Sequence, residues 1–233
     1  MKAVLFDLDG TLLNRDASVH AFIENQYDRL NNGLKHIPKE TYCSRFIELD
    51  KRGYVWKDKV YQQLLTEFDL STLQWENMLE DYISEFKHHC VPFNGLKEML
   101  KELKSMKLLV GMITNGYGQF QMDNIEALGI KEFFDVILVS EWEGMKKPNQ
   151  EIFHRALERL NVASAESIFV GDHPDNDVYA AQQAGMKAIW KVDSGWDQVD
   201  ADFIVENLLE IPTIIELLRK DTAPAQSIVP NKW

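Results

Sequence analysis

Lys2-Ala3-Val4-Leu5-Phe6-Asp7-Leu8-Asp9-Gly10-Thr11-Leu12 decides the fold class of this chain. Ala3 to Phe6 are apolar without interruption, and they run straight into an aspartate. A run this short and continuous predicts a strand buried on both faces, as in a parallel sheet. Ligands of such sheets bind outside the carboxyl ends of the strands, and Asp7 stands at such an end. Gly10 lets the backbone turn away sharply. The alternation Asp7-Leu8-Asp9 puts two carboxylates on one side of an extended backbone. Carboxylates that close are costly unless a cation or a shared proton relieves them. The stretch therefore points to metal binding, acid/base chemistry, or both.

Working outward, the pattern changes after Leu13. From Asn14 to about Cys90 the periodicity is helical, with almost no strand signal. Asp16 or Ser18 is expected to cap a helix reaching Asn31, with Val19, Phe22, Ile23, Gln26, Tyr27 and Leu30 near one face. Further helices are expected over 38–50, 56–68 and 71–89. Pro92-Phe93-Asn94-Gly95 marks a return to alternating elements. Strands are expected at 108–113, 134–139, 167–171 and 187–192, with a short edge strand at 203–205. Helices are expected at 96–106, 119–128, Pro148 or Asn149 to 160, 175–184 and 208–218. Strands alternating with helices imply an α/β fold with a doubly wound, mostly parallel sheet. The expected division is a core of residues 1–13 and 91–220, a helical cap of 14–90 inserted after the first strand, and a tail of 221–233 whose Ile228, Val229 and Trp233 could dock on a neighbour. Asp7, Thr114 and Asp172 each close an apolar strand, and Lys147 follows the third. In a parallel sheet these four converge on one edge.

Composition narrows the function. The chain has 233 residues, 25 Lys and Arg against 37 Asp and Glu, and a net charge of −12. That balance argues against nucleic-acid binding, which needs a basic face. It also means that an anionic ligand requires a local positive site against a repulsive field. Cys43 and Cys90 have no CxxC spacing and suit reduced thiols. No apolar run approaches the length of a membrane span, and Asp7 and Asp9 interrupt any leader-like segment. The expectation is a cytoplasmic protein with no membrane partner. Nothing in the sequence assigns an oligomeric state.

Asp7-Leu8-Asp9-Gly10-Thr11 resembles the first motif of the haloacid dehalogenase superfamily of phosphohydrolases. Thr114-Asn115-Gly116 resembles its second motif. Lys147-Pro148 with Ile152-Phe153 resembles its third, and Gly171-Asp172-His173-Pro174-Asp175-Asn176-Asp177 its fourth. The motifs occur in order from residue 7 to 177, and residues 14–90 lie where that family carries a helical cap. His173-Pro174 departs from the commonest fourth motif, where a small residue often follows Gly-Asp. The resemblance implies a Rossmann-like core and a Mg²⁺-dependent phosphatase acting on a small phosphorylated metabolite of the nucleotide or sugar phosphate class. It implies Asp7 as the nucleophile that forms an aspartyl-phosphate. It implies Asp9 as the general acid/base, with its main-chain carbonyl as a metal ligand, and Asp7 and Asp172 as the rest of the metal set. Thr114 and Asn115 would then bind phosphate, and Lys147 would supply positive charge at the transition state. Asp177 either orients Lys147 or metal-bound water or caps the following helix, and Asp175 is the more obvious cap. A phosphomutase is the alternative, which would use His20 in the first cap helix. A 2-haloacid dehalogenase is another, disfavoured because such members lack an aspartate at position 9. Gln119, Gln121, Asn124 and Gly129 after the second motif resemble the branch of pyrimidine nucleotidases and sialic-acid phosphate phosphatases. Lys51-Arg52-Gly53-Tyr54-Val55-Trp56-Lys57 either meets the substrate's non-phosphate portion or simply joins two helices, with Tyr54 and Trp56 packed in the cap.

Overall fold

The structure is a computed structural model that describes residues 1–221. Most of the tail expected at 221–233, including its proposed docking residues, lies outside the described residues. The elements run β1 (Ala3–Phe6), α1 (Arg15–Arg29), α2 (Asn31–Leu34), α3 (Lys39–Asp50), α4 (Lys57–Glu67), α5 (Trp75–Glu85), α6 (Leu96–Ser105), β2 (Leu109–Thr114), α7 (Gly118–Ala127), β3 (Val136–Val139), α8 (Ser140–Glu143), α9 (Gln150–Leu160), β4 (Ser167–Gly171), α10 (Ala180–Gln183), β5 (Lys187–Lys191), β6 (Phe203–Val205) and α11 (Ile211–Asp221). The six strands form one sheet in the order β3-β2-β1-β4-β5-β6, and every pairing is parallel.

β1 is the centre of this sheet, and its apolar run follows from that place. Val4 and Phe6 join the core on one face, with Val110, Met112, Ile168, Val170 and residues of α6 and α11. Ala3 and Leu5 join the core on the other, with Ile113, Phe169, Ala188 and residues of α9 and α10. A strand with no polar face has to be apolar at every position. The chain order also makes the β1/β4 border a topological switch point, since the sheet grows one way through β2 and the other way through β4. Crevices form at such borders, outside the carboxyl ends of the strands.

The helical segment from α1 to α5 leaves the sheet through Leu13 and returns through Pro92. These two crossings lie side by side: Leu13 and Pro92 form an antiparallel bridge. Asn14 N–H donates to Val91 O at 2.8 Å, and Phe93 N–H donates to Leu12 O at 3.0 Å.

Several local expectations need correction. Asn14, rather than Asp16 or Ser18, caps α1: its side-chain oxygen accepts from Ala17 N–H. Asn14 already lies in the crossing strand, so the turn into the helix falls there. The helix expected from Ser71 starts at Trp75, because Leu70 to Leu73 close a turn in which Leu73 N–H donates to Leu70 O at 3.1 Å. The helix expected over 175–184 opens as a wide π-type segment, Pro174–Tyr179, before α10. Its cap is His173, whose Nδ1 accepts from Asp175 N–H and Asn176 N–H, so Asp175 is not the cap. The short α8 has no counterpart in the sequence reading. Among the described residues no helix is long and apolar enough to cross a membrane.

Candidate active site

The carboxyl ends of β1, β2 and β4 open into a cavity of about 840 Å³ that Asp7, Asp9, Asn115, Lys147, Asp172 and Asp177 help to line. Asp7 continues the ladder of β1, its N–H donating to Val170 O at 2.9 Å. The backbone then folds back on itself, with Gly10 N–H donating to Leu13 O at 2.9 Å. Gly10 takes φ +83°, and a Cβ there would stand 2.4 Å from Asp172 Oδ2. The glycine thus allows the first loop and the Asp172 carboxylate to meet.

Lys147 is the buried hub. Its Nζ donates to Asp7 Oδ1 and to Asp177 Oδ1, both at 2.6 Å. The Asn115 side chain fixes the lysine's main chain from both sides: Asn115 Nδ2 donates to Lys147 O and Asn115 Oδ1 accepts from Lys147 N–H, each at 2.9 Å. Of the tasks weighed for it, Asp177 takes the orienting of Lys147. One oxygen holds Lys147, and the other accepts from His173 N–H at 3.0 Å. Asp7 Oδ2 makes no hydrogen bond among the described residues and belongs to a cavity-lining side chain.

Asp7, Asp172 and Asp177 each offer an oxygen within 4.8 Å of the others. Burial pushes the Asp7 carboxyl well above the usual carboxylate range, with Asp177 and Asp172 adding to the rise and Lys147 opposing it. Burial also pushes Asp172 up, to about 7, again with Asp177 adding. Burial works against the Lys147 ammonium, yet Asp177 and Asp7 outweigh it and hold the lysine charged. One buried cation among these carboxylates leaves excess negative charge. Hard, clustered oxygen donors with that excess fit a divalent cation such as Mg²⁺. The Asp9 carboxylate stands outside this cluster; its Oδ2 accepts from Gln121 Nε2 at 2.7 Å.

Gln121 is a site residue to which the sequence assigned no task. Its Nε2 also lies 2.7 Å from Thr114 Oγ1 and 3.2 Å from Asn115 O, and its Oε1 faces Asn124 Nδ2 at 3.4 Å. Thr114 itself is fully buried and does not line the cavity. Replacing Gln121 with Leu frees the Asp9 side chain and removes the bond to the buried Thr114 hydroxyl, so kcat is expected to fall about 10–100-fold and stability by about 1–3 kcal/mol. Steady-state kinetics beside a melting curve checks this.

The loop before α4 bridges to the core. Arg52 pairs with Asp193, Tyr54 Oη meets His173 Nε2 at 2.8 Å, and the Trp56 ring packs 4.4 Å from Tyr117. Tyr54 is 66% exposed, so it is not packed in the cap as one reading had it. Because His173 Nδ1 accepts two N–H groups, the neutral ring carries its proton on Nε2 and donates to Tyr54. Burial lowers the pKa of this imidazole and favours that neutral form. His20 is exposed on α1 and does not line the cavity, which removes the feature that suggested a mutase.

Comparison with known proteins places the chain in a family. Glyceraldehyde 3-phosphate phosphatase of Pyrococcus furiosus is 27% identical over 98% of this chain and 97% of its own. N-acylneuraminate-9-phosphatase of Mus musculus is 27% identical over 93% of this chain and 94% of its own. The crystal structure of a HAD phosphatase from Thermococcus onnurineus superposes with a TM-score of 0.66 at 29% identity, covering 92% of this chain and 98% of that one. Residues 4–191 match the family described as haloacid dehalogenase-like hydrolase, and this chain belongs to that family.

Proposed function

We propose that the protein is a Mg²⁺-dependent phosphatase of small phosphorylated metabolites, of the sugar phosphate or nucleotide class, working through phosphorylated Asp7. The observation that carries this reading is the Asp7 carboxylate, with Oδ1 held by the Lys147 ammonium at 2.6 Å and Oδ2 without a partner among the described residues. An oriented carboxylate with one free oxygen beside a cation is an activated nucleophile. Asp7 Oδ2 attacks phosphorus, and the bond from phosphorus to the leaving oxygen breaks. Asp9 gives its proton to that oxygen. Asp9 then takes a proton from water, whose oxygen attacks the same phosphorus, and the bond to Asp7 breaks. Lys147 stabilises negative charge on the phosphoryl oxygens. Asn115 keeps the lysine in place through its side chain, and Gln121 keeps Asp9 turned toward the cavity. Asp7, Asp172 and the main-chain carbonyl of Asp9 would hold Mg²⁺. Its charge, when bound, offsets repulsion between Asp7 and the substrate phosphate.

Residues 14–90 then act as a cap over a core of 1–13 and 91–220. The paired crossings at Leu13 and Pro92 are the hinge, and cap closure excludes water from the phosphorylated intermediate. The free cysteines Cys43 and Cys90 suit a cytoplasmic setting.

Phosphate release from a panel of phosphorylated metabolites tests the reading. Turnover is expected with Mg²⁺, falling on the order of 10²-fold or more in EDTA and returning on re-addition of Mg²⁺. Chloride release from a 2-haloacid in EDTA, with no ester hydrolysed, would overturn it.

A further inference from the structure

Asp50 ends α3 and is 2% exposed. Its Oδ1 accepts from Arg15 Nη2 at 3.0 Å and also from Lys57 Nζ, and its Oδ2 accepts from Arg15 Nη2 at 2.8 Å. Two cations therefore share one buried carboxylate. Lys57 is itself only 2% exposed. Arg15 and Lys57 both line the cavity, whereas Asp50 does not. The counter-ion lies behind the cations, and the surplus positive charge faces the space above Asp7 and Asp9. Each cation is the first residue of its helix, α1 and α4, so the partial positive charge of two helix starts adds to theirs. A buried charge left without a full partner is costly unless something answers it.

The surroundings give the shape of the answer. Trp56, Tyr82, Phe86 and Phe120 line the same cavity. Tyr82 and Phe120 stack with centroids 5.4 Å apart, and Lys57 Nζ lies 5.0 Å from the Tyr82 ring. An apolar wall thus leads to the cation pair. Across a chain of net charge −12, few places would hold an anion, and this one sits beside the phosphate site.

We propose that Arg15 and Lys57 form a subsite for an anionic group on the leaving portion of the substrate. The preferred substrate is a phosphate monoester whose alcohol part carries a carboxylate or a second phosphate beyond an apolar or ring segment. This rests on the phosphatase reading and names the substrate class of that same site.

Four aryl esters test it in Mg²⁺ buffer: phenyl phosphate, 4-carboxyphenyl phosphate, its methyl ester, and 1,4-phenylene bisphosphate. At least one of the two anionic esters is expected to exceed the methyl ester in kcat/KM by about 10–100-fold, mostly through a lower KM. Which anionic ester leads identifies carboxylate or phosphate as the group read. Arg15→Met leaves Asp50 paired with Lys57 and removes the surplus charge. It brings the ratio of anionic to neutral ester to within about twofold. Asp50→Asn removes the shared counter-ion and raises that ratio, so it carries the test if Arg15→Met does not fold. A ratio near one in the wild type, or a ratio that neither variant moves, overturns the subsite while leaving the phosphatase reading standing. No hydrolysis of any of the four esters overturns the subsite as stated, and phosphate release from the metabolite panel then decides the phosphatase reading by itself.

Discussion

Asp7→Asn is expected to lower turnover by at least on the order of 10⁴-fold and, in metal-free buffer, to make the folded protein more stable than the wild type. The first effect follows from the loss of the attacking oxygen, for which an amide is no substitute. The second follows from the charges around position 7. Burial, with Asp177 and Asp172 adding, holds the Asp7 carboxyl well above its usual range despite Lys147. The folded protein therefore binds a proton at Asp7 more tightly than the unfolded chain does. Stability from such a group is present at low pH and lost as pH rises through the folded value. At neutral pH this proton linkage weakens the fold, because the unfolded chain ionises Asp7 more readily than the folded protein does, and asparagine removes the linkage while keeping an oxygen for Lys147. The gain is expected to be about 1–2 kcal/mol, read as a higher urea midpoint in EDTA. Mg²⁺ should shrink the difference, because the wild-type carboxylate gains a partner that asparagine does not match. A variant that is inactive and also less stable would mean that Asp7 serves the fold rather than being strained by its function.

Lys147→Met has the opposite signature. The lysine is 3% exposed and is the cation between Asp7 and Asp177. Methionine fills similar space but leaves these carboxylates and Asp172 facing one another without a positive charge. Breaking a buried pair from one side costs about 3–5 kcal/mol, and that loss is expected in EDTA at neutral pH. Lowering the pH should recover part of it, since the carboxyls can then take up protons. Mg²⁺ should recover part as well, by supplying charge where the ammonium was. Turnover is expected to fall about 10²–10³-fold even with saturating Mg²⁺. Equal stability of Lys147→Met and wild type in EDTA would show that the site is far better solvated than its burial implies.

The same residues show which features a sequence can carry. β1 was legible because burial on both faces leaves no freedom for a polar residue, and the edge it defines drew Asp7, Thr114, Lys147 and Asp172 to one end of the sheet. β4 was legible for the same reason, and the helical periodicity of 14–90 separated that block from the alternating remainder. What stayed hidden depends on contacts between distant positions. Gln121 meets Asp9 across 112 residues of chain, and Arg15 meets Asp50 across 35. No spacing rule announces such pairs. Asn115 was read as a phosphate ligand through its amide, where the chain turns towards a helix; that its side chain also grips the main chain of Lys147 is a long-range contact no spacing announces. His173 was visible only as a departure from the commonest motif; its ring turns out to cap the segment that presents Asp177 and to meet Tyr54 of the helical block. Asn14 was passed over as a cap because the crossing strand that positions it is paired with Val91, again at long range.

Trapping the phosphorylated enzyme tests the central claim most directly. The protein is mixed with a turned-over phosphate ester and Mg²⁺, quenched in acid within the first turnovers, and reduced with borohydride. Peptide mass spectrometry should then find homoserine at position 7, the product of reducing an acyl phosphate, and only in samples that received substrate. Position 7 remaining aspartate throughout turnover, or the reduced residue appearing elsewhere, would contradict the account.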